Sequence, residues 1–191
     1  MACALGVPAL LFACLRGASP FQRSFFRLRW DGAWAGQAAL LAAVAFPLAD
    51  PLLSTAWAAA VQSAAGIPPD GGTAVLNLQA AAAARDGLAL SQAAAGSVLL
   101  GPLWEEVFFR GFFLASLTKV LPTRVALPCS ALAFAALHTS APNFAPPLLL
   151  GGCCDALWLR SRNMAPPLLF HAAWNGGQLA AIVLLGKQTF V

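Results

Sequence analysis

The sequence predicts an all-α fold, a polytopic integral membrane helical bundle with about five to seven spans at roughly 20 residues per span. Of the 191 residues, 60% are hydrophobic and only 9% are charged, and the mean hydropathy is +0.75. A soluble domain carries about 25% charged residues. The composition therefore excludes an ordinary soluble protein and indicates a chain embedded in lipid.

Three parts follow one another along the chain. Residues 1–33 are a basic lead-in, interpreted as a targeting segment or a partial span. Residues 34–87 hold the N-terminal helices and a loop. Their long Ala/Leu-rich segment contains Pro47 and Pro51, so it makes either one kinked helix or two short ones. Residues 88–191 form a membrane core that contains both histidines of the chain.

Glycines and prolines predict where the helices begin and end. Gly87 is expected to end the short helix that follows the loop near residue 70. Gly101-Pro102 is expected to interrupt the next apolar segment, so that Pro102 opens a fresh helix. The remaining spans are predicted at 125–140, 148–159 and 164–186.

Basic residues gather on one side of these spans. One side holds Arg16 to Arg29, Lys119, Arg124, Arg160 and Arg162, and the other holds only Arg85 and Lys187. By the positive-inside rule, the first side faces the cytosol or its organellar equivalent. A plastid membrane and a bacterial-type inner membrane are both compatible with this composition.

One predicted helix of the core carries three ionisable residues, Glu105, Glu106 and Arg110. Each costs roughly 2.5–3.5 kcal/mol at the centre of a bilayer, and membrane chains usually keep such residues for function. Glu106 and Arg110 are four residues apart, so their side chains can pair. Glu105 has no such partner on its own helix. The structural alternative is a salt bridge that stabilises the helix and a second glutamate that faces water at the membrane surface.

Two further pairs place polar groups on single helix faces. Phe134 and His138 are four residues apart, and so are His171 and Asn175, so each pair shares a face. Polar residues in membrane helices often only join neighbouring helices. Both histidines of the chain, together with Glu105 and an asparagine, favour a functional site instead.

The three motifs resemble a known family. Glu105-Glu106-x-x-x-Arg110, Phe134-x-x-x-His138 and His171-x-x-x-Asn175 occur in the order found in the CPBP (Abi) family of intramembrane proteases. That family includes the type II CAAX prenyl endopeptidases. The resemblance covers about residues 88–186 and implies that residues 88–191 are a catalytic membrane core of CPBP/Abi type.

The resemblance implies a hydrolase that cleaves peptide bonds of membrane-associated substrates, prenylated CAAX proteins among them. Glu105 would be the general base that takes a proton from water, and His138 would hold the same water. His171 and Asn175 would donate hydrogen bonds to the developing oxyanion. Electrostatic and structural support would come from Glu106, Arg110 and Phe134.

The metal requirement stays open at this point. One carboxylate and two histidines can bind zinc with an open position, but the sequence contains no HExxH motif. If zinc is bound, its ligands are Glu105, His138 and His171; the alternative is catalysis without a cofactor.

The expected partners are membrane lipid and a peptide or protein substrate. Nucleic acid is excluded, because no basic face with interleaved aromatic residues occurs. Two other classes remain open: a non-catalytic membrane scaffold of the same fold, and a proton-coupled carrier, since Glu and His chains also serve proton relays. A carrier more often shows paired half-repeats, and the sequence has none.

Overall fold

A computed structural model shows an all-α chain and describes residues 27–67, 72–138 and 141–186. Within these ranges the regular structure is helical and no strand occurs, which confirms the all-α part of the predicted fold class. The six helices are α1 (Gly32–Ala65), α2 (Gly72–Ala83), α3 (87–120), α4 (Thr123–His138), α5 (Ala145–Ser161) and α6 (Ala165–Leu185), with a short 3₁₀ turn at Ala141–Asn143.

Two of these helices, α1 and α6, are long and apolar enough to cross a membrane. The prediction of five to seven spans stays a prediction. The basic lead-in up to residue 26, the loop at 68–71 and Lys187 lie outside the described residues.

Helix α1 is a single helix, which decides between the two alternatives for this segment. Pro47 and Pro51 both lie inside it. The Asp31 side chain caps its start by accepting from the N–H of Ala33 at 2.9 Å. Gly66 ends it with φ of 69°, a left-handed conformation that glycine adopts without steric cost.

Two of the predicted helix boundaries are wrong, and both concern α3. Gly87 does not end a helix: α2 stops at Ala83, and α3 begins at Gly87, where the Asp86 side chain accepts from the N–H of Ala89 at 3.0 Å. Pro102 does not open a separate helix either, because α3 continues through it. The chain accommodates the proline by widening into π-helical turns at Ala95–Leu100 and Val107–Leu114.

The main core lies where α1, α3, α4, α5 and α6 meet. Its fully buried aromatic side chains come from α3, α4 and α6 and are Phe109, Phe134, Phe170 and Trp174. Helix α1 packs on α6 through Phe46, whose ring meets Trp174 edge-on at 5.7 Å between centroids. This core directly supports the motif residues, since Phe134 belongs to both.

The close approach of α1 to α6 generates a first prediction. A Cβ at Gly177 would lie 2.7 Å from two atoms of the Phe46 ring, which is below any normal contact. Gly177→Ala should therefore displace Phe46 and cost about 1–3 kcal/mol of stability, as overpacked cores do. The measurement is the melting temperature in detergent.

Gly176→Ala is the matched control for this change. A Cβ at Gly176 meets only Val98 Cγ1 at 3.8 Å, an ordinary contact, so this neighbour should melt at or above the parent temperature. Equal melting of the two variants would show that α1 and α6 are not packed this closely.

Candidate active site

Side chains from three helices meet at one carboxylate oxygen. Oε2 of Glu105 on α3 lies 3.0 Å from Nε2 of His138, the last residue of α4, and 3.6 Å from Nε2 of His171 on α6. Glu105 therefore has partners, but they come from other helices and not from its own. The structure thus brings together the predicted water activator Glu105, the predicted water-holding residue His138 and one predicted oxyanion donor, His171.

Room for the Glu105 side chain comes from glycine. A Cβ at Gly101 would lie 3.1 Å from the carbonyl oxygen of Gly96 and 3.7 Å from Oε1 of Glu105. Side chains on a helix lean toward its N-terminus, so the Glu105 carboxylate lies back over Gly101. A larger residue there would press on both the π-helical turn and the carboxylate.

A second carboxylate supports the histidine on α6. Oε1 of Glu106 lies 2.8 Å from Nδ1 of His171 and 3.0 Å from Nη1 of Arg110. The Glu106–Arg110 ion pair expected from the spacing is present, and it is buried, with side-chain exposures of 1% and 0%.

The partners of the two rings determine where their protons lie. The backbone carbonyl of Phe134 can only accept, so Nδ1 of His138, 2.7 Å away, donates to it. Glu106 is ionised by its pairing with Arg110, so Nδ1 of His171 also donates. Both rings consequently turn Nε2 toward Glu105. The 3.0 Å contact between His138 and Glu105 then requires one shared proton, because two acceptors would repel.

Phe134 holds His138 in two ways. Its carbonyl accepts from the imidazole, and its ring stacks on the imidazole at 4.1 Å between centroids. Arg110 also contacts this phenyl ring, with Cζ 5.0 Å from the Phe134 centroid. Gly151 on α5 makes this possible, since a Cβ there would lie 3.1 Å from the ring.

Asn175 lies one helical turn after His171 but bonds elsewhere. Its Nδ2 donates to the backbone carbonyl of Ser97 at 2.9 Å. That carbonyl is available for a local reason. The N–H of Gly101 bonds the carbonyl of Gly96, and the next residue, Pro102, has no N–H. Oδ1 of Asn175 is buried and has no hydrogen-bond partner within the described ranges.

Exposure divides the site into an open side and a closed side. The side chains of Glu105 and His138 keep 14% and 22% of their surface accessible, whereas His171 keeps 1%. The cluster is therefore accessible from the side of Glu105 and His138. The ion pair and His171 form its closed floor.

Two buried acids were missed by the sequence analysis. Asp155 on α5 lies with Oδ1 2.9 Å from Nε of Arg110, as an ion pair without hydrogen-bond alignment. Asp50 on α1 accepts from Nε2 of Gln178 on α6 at 2.7 Å. Both are 0% exposed. The available signal was simple: each is an ionisable residue within an apolar segment, which is costly and seldom incidental.

A buried trio with metal-ligand chemistry also lies here. Candidate ligand atoms of Glu106, Cys154 and His171 all lie within 4.8 Å of one another. This set differs from the predicted zinc ligands, which share only His171 with it. Glu106 is already shared by His171 and Arg110, so the trio is committed to the ion pair.

The predicted zinc set has suitable donors. Two imidazole Nε2 atoms and a carboxylate oxygen are ligands that zinc accepts. Both imidazoles donate Nδ1–H to an acceptor, which is the usual support for metal-bound histidine. The residues present therefore fit zinc chemically.

Comparison with known families gives a match over the segment that holds these residues. Residues 88–177 match the family model described as type II CAAX prenyl endopeptidase Rce1-like. This segment is therefore similar to the Rce1-like family. It contains Glu105, Glu106, Arg110, Phe134, His138, His171 and Asn175. No curated protein and no solved structure matches the chain significantly.

The Rce1-like assignment bears out the family resemblance found in the sequence, and α1 and α2 lie outside the matched segment. The family is one of membrane-embedded proteases. For this chain, the activity, the membrane and the substrate are matters for proposal.

The Ser97 carbonyl generates a second prediction. Asn175→Ala should cost about 1–3 kcal/mol, because it leaves that buried acceptor unsatisfied. Pro102→Ala supplies a new backbone N–H to the same carbonyl, so in its background the cost of Asn175→Ala should fall by about 1 kcal/mol. Thermal melting of the two single variants and the double variant measures this coupling.

Pro128→Ala is the control, because it also removes a proline from a helix interior but lies on α4. The cost of Asn175→Ala should be unchanged in that background. An equal coupling with Pro128 would mean that Pro102 acts on general helix stability and not on the Ser97 carbonyl.

The buried guanidinium generates a third prediction. Arg110→Ala leaves Glu106 and Asp155 buried without their shared cation, and loss of one partner of a buried pair costs about 3–5 kcal/mol. The variant should show a clearly lower melting temperature or yield in detergent. Arg124→Ala, at an exposed position of α4, should melt like the parent. A parent-like melting temperature of Arg110→Ala would show that the ion pair does not stabilise the fold.

Proposed function

We propose that the chain is an intramembrane endopeptidase that cleaves peptide bonds of membrane-associated substrates, prenylated CAAX proteins among them, with a water activated by Glu105. The observation that carries this proposal is the convergence of two Nε2 atoms on Oε2 of Glu105 within an Rce1-like domain. The open side of the cluster gives water and a peptide access to that oxygen.

The cleavage proceeds in two balanced steps. A water that contacts Glu105 and His138 attacks the scissile carbonyl carbon; its C–O bond forms while Glu105 takes its proton. The carbonyl oxygen becomes an oxyanion. The C–N bond then breaks, and the proton on Glu105 passes to the leaving amine. The protein contributes positioning and a proton acceptor, and water is the only co-reactant.

Two side chains stabilise the oxyanion in this proposal. Asn175 uses one N–H of its amide for Ser97 and keeps the second for the substrate. His171 gives its Nδ1 proton to Glu106, so it donates from Nε2 only as an imidazolium.

An apolar groove supports the choice of a lipid-modified or otherwise apolar substrate. It measures about 770 Å³ and opens between α1, α4 and α5. Trp57 at its edge donates its indole N–H to the carbonyl of Ala141, shortly after His138 in the chain. The groove is lined by apolar and small residues, among them Leu53, Trp57, Pro128, Leu132 and Leu148.

A zinc-dependent metalloprotease is the second candidate, favoured by the donor set. Glu105, His138 and His171 would hold the ion, which when bound supplies a Lewis acid for water and carbonyl. The roles of Glu106 and Phe134 are the same in both versions, because each holds one imidazole by its Nδ1–H.

The orientation proposed for the chain follows its charges. The backbone N–H of Met164 bonds the carbonyl of Arg27 at 2.8 Å, which brings the start of α1 to the turn between α5 and α6. This end carries exposed arginines at 27, 29, 160 and 162. By the positive-inside rule it faces the cytosol or the organellar equivalent, in a plastid or a bacterial-type inner membrane.

The fourth prediction tests Glu105 as the base. Glu105→Gln keeps the size of the side chain but removes the proton acceptor, so cleavage should fall by about 10²–10⁴-fold or more. Stability should be retained, since the change removes a partly buried charge. The assay is cleavage of a prenylated CAAX peptide, and of a membrane-peptide library, alongside melting in detergent.

Glu106→Gln is the matched control, because it differs by one position and should show the opposite balance. It leaves Arg110 with a weaker partner, so the melting temperature should fall while some cleavage activity remains. Full activity of Glu105→Gln would rule out the glutamate mechanism. Loss of bound zinc together with loss of activity would select the metalloprotease version, and no cleavage by the parent protein would favour the scaffold or the carrier.

A further inference from the structure

We propose that Asp155 is a positioning residue of this site: it orients Arg110, and through Arg110 and Glu106 it holds His171 with its proton on Nδ1 and with Nε2 facing Glu105. The proposal rests on the proposed function in one respect, namely that His171 acts in cleavage. The geometry of the contact chain itself is independent of the substrate.

Helix α5 holds two of the three nitrogens of the guanidinium. Asp155 Oδ1 lies 2.9 Å from Nε, and the backbone carbonyl of Gly151, one turn earlier, accepts from Nη2 at 2.6 Å. The remaining nitrogen, Nη1, then faces Glu106 at 3.0 Å. Since a guanidinium is planar and rigid, fixing two of its nitrogens also fixes the direction of the third.

The next contact transmits this direction to the imidazole. Glu106 uses the same oxygen, Oε1, for Arg110 and for His171. A rotation of the guanidinium would therefore move the acceptor of the Nδ1 proton. With that acceptor in place the ring keeps its Nδ1–H hydrogen bond and one orientation, and Nε2 stays 3.6 Å from Oε2 of Glu105.

Charge supports the same role. Two carboxylates, those of Glu106 and Asp155, share a single guanidinium. Arg110 does not neutralise Glu106 completely. Glu106 accordingly remains a strong acceptor for the proton on Nδ1 of His171.

The contacts of Asp155 are concentrated on Arg110. Its Oδ2 is buried without a hydrogen-bond partner in the part of the chain that the structure describes. Its Oδ1 accepts only a long 3.3 Å bond from Ser130 beside the ion pair. The single oxygen that Asp155 uses therefore contacts Arg110 and Ser130, and the contact with the guanidinium is the shorter one.

The test reads the imidazole directly. The chain has two histidines, so the protein labelled with ¹⁵N-histidine gives two ring systems in NMR spectra in detergent, and His138→Gln assigns them. The parent His171 should show a protonated, hydrogen-bonded Nδ1. Asp155→Ala should shift this signal, and Asp155→Asn, which keeps an acceptor but not the charge, should give a smaller shift.

Asp50→Asn is the matched control, since Asp50 is equally buried and also bonds a residue of α6. It should leave the His171 signals unchanged. In the cleavage assay, Asp155→Ala should lower kcat by about 10–100-fold, the usual effect of losing an outer supporting contact, with KM unchanged.

Each outcome decides the proposal. Unchanged His171 signals in a folded Asp155→Ala protein, or an equal change in Asp50→Asn, would overturn it. If Asp155→Ala does not fold, the isosteric Asp155→Asn carries the same spectroscopic comparison. If Asp155→Ala shifts the Nδ1 signal but the parent protein cleaves no peptide, the positioning role is retained and the proposed function is rejected.

Discussion

The buried guanidinium of Arg110 is the interaction on which the rest of the site depends. It is 0% exposed and contacts Glu106 on its own helix, Asp155 and Gly151 on α5, and the Phe134 ring on α4. A cation buried without such partners costs several kcal/mol. The charge can therefore be buried only when α3, α4 and α5 are packed together, and this requirement couples the fold to the site.

The exposure of the side chains increases from Arg110 toward Glu105 and His138. The ion pair and His171 are closed to solvent, whereas Glu105 and His138 remain partly accessible. This separation leaves Glu105 and His138 accessible while the ion pair, whose strength depends on a low dielectric, stays enclosed. The imidazole of His171 links the buried ion pair to Glu105, because one ring nitrogen faces Glu106 and the other faces Glu105.

Sequence reasoning succeeded where the information was local. The four-residue spacings predicted the Glu106–Arg110 pair and the shared face of Phe134 and His138, because helix geometry alone determines both. It could not supply the partners of Glu105, which arrive from α4 and α6. Asp155 was missed for the same reason: its partner lies on another helix, 45 residues earlier in the chain.

The departure of α3 from ideal helix geometry explains both an error and a contact. Pro102 was expected to interrupt the segment, but the wider turns before and after it let the helix continue. The missing N–H leaves the Ser97 carbonyl without a backbone partner, and irregular backbone at membrane depth is tolerated only where protein satisfies it. Asn175 does so with one N–H. A carboxamide has a second N–H for a substrate oxygen, whereas an aspartate at the same position would have none, which is why a residue of this type serves the helix and the proposed chemistry together.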